Sequence, residues 1–407
     1  MRNLLVKILK KAVRLVEKRE VPTVTFDDLI LKNVFQSNYE KRVLISYLKQ
    51  PFIEGIKYHH TNYLECYTAA EIFHELGYQI DVIDLFEDSV NLNFGDYQVV
   101  YGLGVSLEKS FTSKEPERIL KILYSTGCNP FYSYLNSTLQ VQRFFSKTGL
   151  LLPNSSRVMP SFFTFQYLLS DFVIALGNKF VAKTFTDVNP DLNCEFVNAF
   201  YFDKFEIDLK SKNFVSASKN FLWFGSIGML HKGLDLLIDI FSNRQEIFLH
   251  ICGPTDSEMK FWNYYNPIIK NCKNIIIHGY IDIESEKFKE LMMECAFCIF
   301  PTASEGGSPS LLNVMANGGL IPLTTGACGI DIDSIGFQFN KISEKEIVEV
   351  INHVFQLTSN EVQEKATNVL NRVRTHYTYE KYKINMTQKI NKAIALFNSK
   401  KSAINNF

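Results

Sequence analysis

One acid, Glu305, precedes two glycines, Gly306 and Gly307, in the stretch FCIFPTASEGGSPSLLNVMANGG from Phe297 to Gly319. A short apolar strand, Phe297–Phe300, leads in, and a helix is expected to follow, with Ser308 as N-cap, Pro309 in its first position and Gly318 at its exit. Such a start points unpaired backbone N–H groups and the positive end of a helix dipole at the loop, which suits a phosphate. An acid beside an anion site makes sense for a ligand that carries hydroxyls as well as phosphate. A second loop, Gly225–Gly233 (GSIGMLHKG), opens another helix and places one cation, Lys232, where a diphosphate would need neutralising. Alone, a glycine-lysine loop of this kind is more often an ordinary turn.

Both loops need strands to hold them. Alternating apolar strands and helices run from Arg42 onward: RVLIS, then YQIDVIDL, with further strands at Tyr97–Tyr101, Lys121–Ser125 and Phe172–Leu176. A polar, lysine-rich stretch over Asp203–Asn220 separates this series from a second one. In the second series FLWF, IFLHICG, NIIIHG, FCIF and LIPLT read as strands, and from about Ser343 the chain reads as three helices. This pattern predicts two α/β domains with parallel sheets covered on both faces. Ligands gather outside the carboxyl ends of such strands, so the Gly225 and Glu305 loops should open on one edge. In the first series those ends are Gln50–Thr61, Gly102–Ser106, Ser125–Pro130 and Gly177–Asn178.

Composition narrows the function classes. In 407 residues, 43 basic side chains balance 43 acidic ones, so nothing global argues for nucleic acid. No apolar run is long enough for a transmembrane helix, and lysines and arginines interrupt the first apolar stretch, against a cleavable signal. Eight scattered cysteines read as reduced thiols, which points to the cytoplasm. Residues 1–20 carry seven basic residues against two acids, with Leu4, Leu5, Ile8, Ala12, Leu15 and Val16 at helical spacing. Two readings stand: an interfacial helix on an anionic membrane leaflet, or a helix packed on its own domain. Cys295 and Cys298 lack a second pair for zinc, Asp331 and Asp333 lack further oxygen ligands, and no metal site is expected. His250 and His278 fall inside strands and read as packed histidines.

Taken in order, HKG (His231–Gly233), GP (Gly253–Pro254), HGYI (His278–Ile281) and SEGGSPSLLNVMANGG (Ser304–Gly319) resemble the donor domain of GT-B-fold glycosyltransferases. The group resembled is the retaining glycosyltransferase family 4. The likeness covers roughly 110 residues, from Phe221 to Asp331, and the first domain only loosely. It implies two Rossmann-like domains facing a central cleft: residues 21–210 for the acceptor, 211–385 for the nucleotide-sugar donor, and 386–407 as a C-terminal helix and tail. It implies that Glu305 and Lys232 act in catalysis, Glu305 by holding sugar hydroxyls. Lys232 and the amides of Gly307, Ser308 and Ser310 would hold the diphosphate, Tyr280 and Ile281 would meet the nucleobase, and Gly225, Ser226, Gly253 and Gly306 would line the donor site.

Two departures from the family pattern stand out. Its second glutamate, the usual ribose ligand, is Asn313 here, which keeps a hydrogen-bond acceptor. Its early loop arginine is absent, with Ser226 in that neighbourhood. His60, Asn62, Thr126 and Asn178 are the acceptor candidates on the first domain. The expected activity is retaining transfer of a sugar from a nucleotide-diphosphate-sugar to a glycan or lipid-linked acceptor in surface-polysaccharide biosynthesis, on the inner face of a membrane and without a cofactor. A nucleotide-sugar epimerase and a non-catalytic scaffold are the alternatives; the first would need flanking acid/base residues that the first domain does not display.

Overall fold

The computed structural model describes residues 29–57, 60–157, 164–205 and 207–405; the expected basic helix over residues 1–20 lies outside them. Two sheets form, one per half of the chain. The first has the order β1-β3-β2-β4-β5-β6-β7. Its strands are β1 (Ile30–Leu31), β2 (Lys41–Tyr47), β3 (Tyr78–Asp84), β4 (Val99–Gly102), β5 (Leu120–Ser125), β6 (Phe172–Leu176) and β7 (Cys194–Val197). All pair in parallel except the two-residue edge strand β1, which runs antiparallel to β3. The two edge strands β1 and β7 were not foreseen, being too short or too polar to show a period of their own.

The second sheet has the order β10-β9-β8-β11-β12-β13 and is wholly parallel. Its strands are β8 (Asn220–Phe224), β9 (Phe248–Cys252), β10 (Ile275–Gly279), β11 (Phe297–Phe300), β12 (Ile321–Thr325) and β13 (Phe337–Phe339). Strands β11 and β12 are buried at every position, as expected of strands with helices on both faces. The order of this sheet matters for function. From β8 the chain winds outward through β9 to β10, then returns to lay β11 against the other side of β8. The reversal leaves a crevice between the loops that follow β8 and β11, the topological switch point of the sheet.

The chain crosses from the first sheet to the second between Val197 and Asn220, and then crosses back. The last helix, Tyr379–Asn405, runs unbroken through residue 386, with a helix expected there from about Tyr379 to Ser399. Its buried face (Tyr382, Met386, Ile390 and Ala393, each at most 1% exposed) recurs at helical spacing and packs on the first half of the chain. Polar ties fix it there: Tyr379 to Thr68 at 2.9 Å, Lys389 to Glu195 at 2.9 Å, and Lys383 to Glu75 at 3.2 Å. Periodicity identifies this helix but not the sheet that it covers. Among the described residues no helix is long and apolar enough to cross a membrane.

Candidate active site

The loop after β8 is shaped by one side chain. Trp223 donates its indole N–H to the Lys232 carbonyl at 3.2 Å, tying the loop back onto its own strand. Gly225 and Gly253 lie against the same indole, where a Cβ would come within 2.8 and 2.9 Å of ring carbons. Packing on Trp223 accounts for Gly225, and the indole together with the Gly225 carbonyl, 2.7 Å from a Cβ on Gly253, accounts for Gly253. At the end of this loop Lys232 is buried, and its ammonium donates to Ser226 Oγ at 2.8 Å and to the Ile227 carbonyl at 3.0 Å. The amides of Gly228 and Met229 donate to the two carboxylate oxygens of Glu258, which sits at the start of the helix Met259–Ile269.

The loop after β11 supplies Glu305, and the two loops meet as adjacent strands require. Glu305 Oε1 lies 3.9 Å from Lys232 Nζ and accepts from Thr302 Oγ1 at 3.2 Å. His231 joins them: its Nε2–H donates to the Ser304 carbonyl at 2.7 Å, so Nδ1 is bare and accepts from Ser137 Oγ at 3.1 Å. Ser137 in turn accepts from the Arg157 amide at 2.8 Å. The Arg157 guanidinium then reaches Glu305 Oε2 at 3.0 Å. Arg157 and Ser137 belong to the first half of the chain. The acid is therefore gripped from both sides of the cleft.

Charge follows this geometry. Burial pushes the Glu305 carboxyl up, but Lys232 and Arg157 outweigh it and hold the group below the ordinary carboxylate range. Burial pushes the Lys232 ammonium down to about 8 against the pull of Glu305. Burial, with Arg157 alongside, pushes the His231 ring down to about 4, also against Glu305. His231 is accordingly a neutral spacer, and the site holds two cations around one carboxylate. Among the described residues no cluster of three His, Cys, Asp or Glu side chains could hold a metal ion.

A small cavity of about 70 Å³ lies over Glu305, lined from the first half of the chain by Ser125, Thr126, Cys128, Ser133 and Gln166 and from the second by His231 and Ser304. The cleft beside it is shut. A Cβ on Gly306 would lie 2.0 Å from the Thr126 carbonyl, and one on Gly307 would lie 2.6 Å from the Ala199 methyl. Gly306, Gly307 and Ser308 are all buried. Ser308 does not cap its helix as expected: it is left-handed (φ 37°), and its hydroxyl donates instead to the Cys328 carbonyl at 2.7 Å. Ser310, in the first turn of Pro309–Gly318, is half-buried.

The remaining expected residues fall in several places. Asn313 is buried, and its carbonyl oxygen accepts from the Phe202 amide at 2.8 Å, so in this arrangement it holds the crossing segment. Tyr280 (66% exposed) and half-buried Ile281 follow β10, the edge strand of the second sheet, and neither lines the cavity. Of the acceptor candidates, only Thr126 lines the cavity. Asn178 caps the helix Lys179–Thr186 and donates to Asp331 Oδ1 across the cleft at 2.7 Å. His60 is exposed, its Nδ1 accepting from the Asn62 amide at 3.1 Å, and neither it nor Asn62 lines the cavity. Arg157, Ser137 and Ser133 went unremarked in the sequence because none sits in a recognisable motif. His231 appeared only as a neighbour of Lys232.

No protein-family model and no curated protein matches the chain in sequence. Solved structures do match it in shape. Sucrose-phosphate synthase from Thermosynechococcus elongatus superposes with a TM-score of 0.59 at 12% identity, over 88% of this chain and 100% of that one. HepE from Anabaena, in complex with UDP and glucose, gives 0.53 at 12% identity over the same shares. WaaG, a glycosyltransferase involved in lipopolysaccharide biosynthesis, gives 0.51 at 14% identity, over 84% of this chain and 98% of that one. Two facing, mostly parallel sheets, an inter-sheet crevice and these neighbours agree: the chain has the two-domain, Rossmann-like GT-B fold.

Proposed function

We propose that this chain is a retaining glycosyltransferase that moves a sugar from a nucleotide-diphosphate-sugar to a glycan or lipid-linked acceptor in surface-polysaccharide assembly. One observation carries the reading: Lys232 and Glu305 share the crevice at the switch point of the second sheet, 3.9 Å apart. Glu305 holds hydroxyls of the transferred sugar. Lys232 and the amides at the start of the helix Pro309–Gly318 hold the diphosphate, with Tyr280 and Ile281 towards the base and Thr126 towards the acceptor. The sugar–phosphate bond breaks as the acceptor hydroxyl bonds to the same carbon from the leaving-group side, and the hydroxyl proton passes to the departing phosphate oxygen. Fixed dipoles and a cation at the leaving phosphate favour this charge separation without reorganising. The neighbour HepE, solved with UDP-glucose, supports a nucleotide-sugar donor, and WaaG, a glycosyltransferase involved in lipopolysaccharide biosynthesis, is in keeping with a surface-polysaccharide pathway.

Gly306 and Gly307 are covered by the first domain, so the donor enters when the two domains part and is enclosed when they meet. The same closed cleft favours a second reading, a non-catalytic relative that serves as a scaffold. Incubation with a panel of nucleotide-sugars and polysaccharide precursors separates the two. Glu305→Ala is expected to abolish transfer and Lys232→Ala to slow it about a hundredfold, the scale of one lost charge-stabilising contact. No nucleotide binding by the unaltered protein would favour the scaffold; unchanged turnover in both variants would remove the donor site from this crevice.

A further inference from the structure

The sequence departs from its family resemblance at the early loop cation, where Ser226 stands, and the tertiary structure offers a replacement from the opposite domain. We propose that Arg157 is the second phosphate-binding cation of the donor site, and that Glu305 holds it in reserve until a donor arrives. This rests on the nucleotide-sugar reading above. Three observations support it. The guanidinium contacts the same carboxylate that Lys232 approaches, with Arg157 Nη1 3.0 Å from Glu305 Oε2 and Lys232 Nζ 3.9 Å from Oε1. The Arg157 side chain lies over the loop assigned to the diphosphate, its Cγ 3.0 Å from where a Cβ on Gly228 would be. Finally, its backbone is pinned to Ser137 and so to His231, which holds Arg157 on the lining of the cavity while its side chain stays nearly half exposed.

The charge balance gives the exchange a direction. Arg157 and Lys232 both face Glu305, with the Glu258 carboxylate held on the amides of Gly228 and Met229, and the diphosphate of a nucleotide-sugar brings about two further negative charges. When the phosphate enters, Arg157 can exchange one planar, bidentate anion for another. Glu305 then loses its partner at Oε2, which becomes available to a sugar hydroxyl. Because Arg157 comes from the first domain and Lys232 from the second, a shared phosphate also draws the two domains together. Arg157 is thus a binding and positioning residue, coupling donor capture to exposure of the acid.

The test is titration calorimetry at pH 7 with UDP, GDP and ADP, each alone, on the full chain. One nucleotide should bind. Arg157→Ala is expected to weaken it about 10- to 100-fold, the range for a lost charge-assisted contact. Glu305→Gln, which frees Arg157 in advance, is expected to tighten the same nucleotide about fivefold or more, and to have a smaller effect when Arg157 is already absent. A merely structural arginine would not produce that dependence. If Arg157→Ala does not fold, Arg157→Gln is read in its place. Binding by the unaltered protein with equal affinity in the arginine variant overturns this proposal alone, as does a Glu305→Gln effect of the same size in both backgrounds. Binding of no nucleotide by the unaltered protein overturns the donor reading itself.

Discussion

His231 shows how a single side chain ties the site to the stability of the whole. It is 1% exposed and spans from Ser304 in one domain to Ser137 in the other, using both ring nitrogens. Its pKa lies near 4 in the folded protein against an ordinary 6.5, because burial opposes its charge. A base whose folded pKa is depressed is neutral in both states at pH 7, and the unfolded chain gains the proton first on acidification. Stability is therefore fully present above about pH 6.5 and falls as the pH drops towards about 4. Between pH 7 and pH 5 the loss should be about 2 kcal/mol from this ring. Urea midpoints at the two pH values measure it, and His231→Asn is expected to remove that part of the difference while lowering stability at pH 7.

The helix Pro309–Gly318 is the element on which both the site and the domain crossing depend. Its start lies beside Glu305, and its interior carries a row of buried amides. Asn317, wholly buried, donates to the Phe202 and Asn313 carbonyls, both at 2.9 Å, and accepts from the amides of Lys204 and Phe205 at 3.1 and 3.2 Å. Asn313 adds the Phe202 amide. These two side chains serve as the backbone partners of a crossing segment that has no strand beside it. Removing such a carboxamide leaves several buried backbone groups unpaired, so Asn317→Ala should cost about 3 kcal/mol in urea unfolding. The helix itself should survive, since it ends on Gly319 at φ 61° and buries Leu311, Leu312, Val314 and Met315.

At the scale of the molecule, closure is polar and close-fitting. Arg143 pairs with Asp235 at 2.8 Å and Lys147 with Asp239 at 2.9 Å, both across the cleft, alongside the Arg157–Glu305 and Asn178–Asp331 contacts. Interfaces between domains of this kind resemble transient protein–protein contacts, and relative motion is their default. Gly306 is a tight point: a methyl there would lie 2.0 Å from the Thr126 carbonyl, so either the domains or the loop must shift. Gly306→Ala is expected to destabilise the closed arrangement by about 2 kcal/mol, the scale of an overpacked contact. Small-angle scattering should report a larger radius of gyration, with transfer lost more than nucleotide binding. An unchanged radius would mean that the loop, not the domains, gives way.

Apolar runs such as FCIF and LIPLT, read against their intervening helices, were enough to predict the α/β sheets, because strands covered on both faces leave little choice of residue. Ordered loop motifs were enough to single out Lys232 and Glu305, because neighbouring strands of one parallel sheet open at the same edge. Contacts between distant segments were decided only in three dimensions. Arg157 reaches Glu305 across 148 positions, Asn313 turns to Phe202 across 111, and the final helix returns to the first sheet. Local patterning records which face of an element is buried, whereas what covers that face depends on the packing of the whole chain.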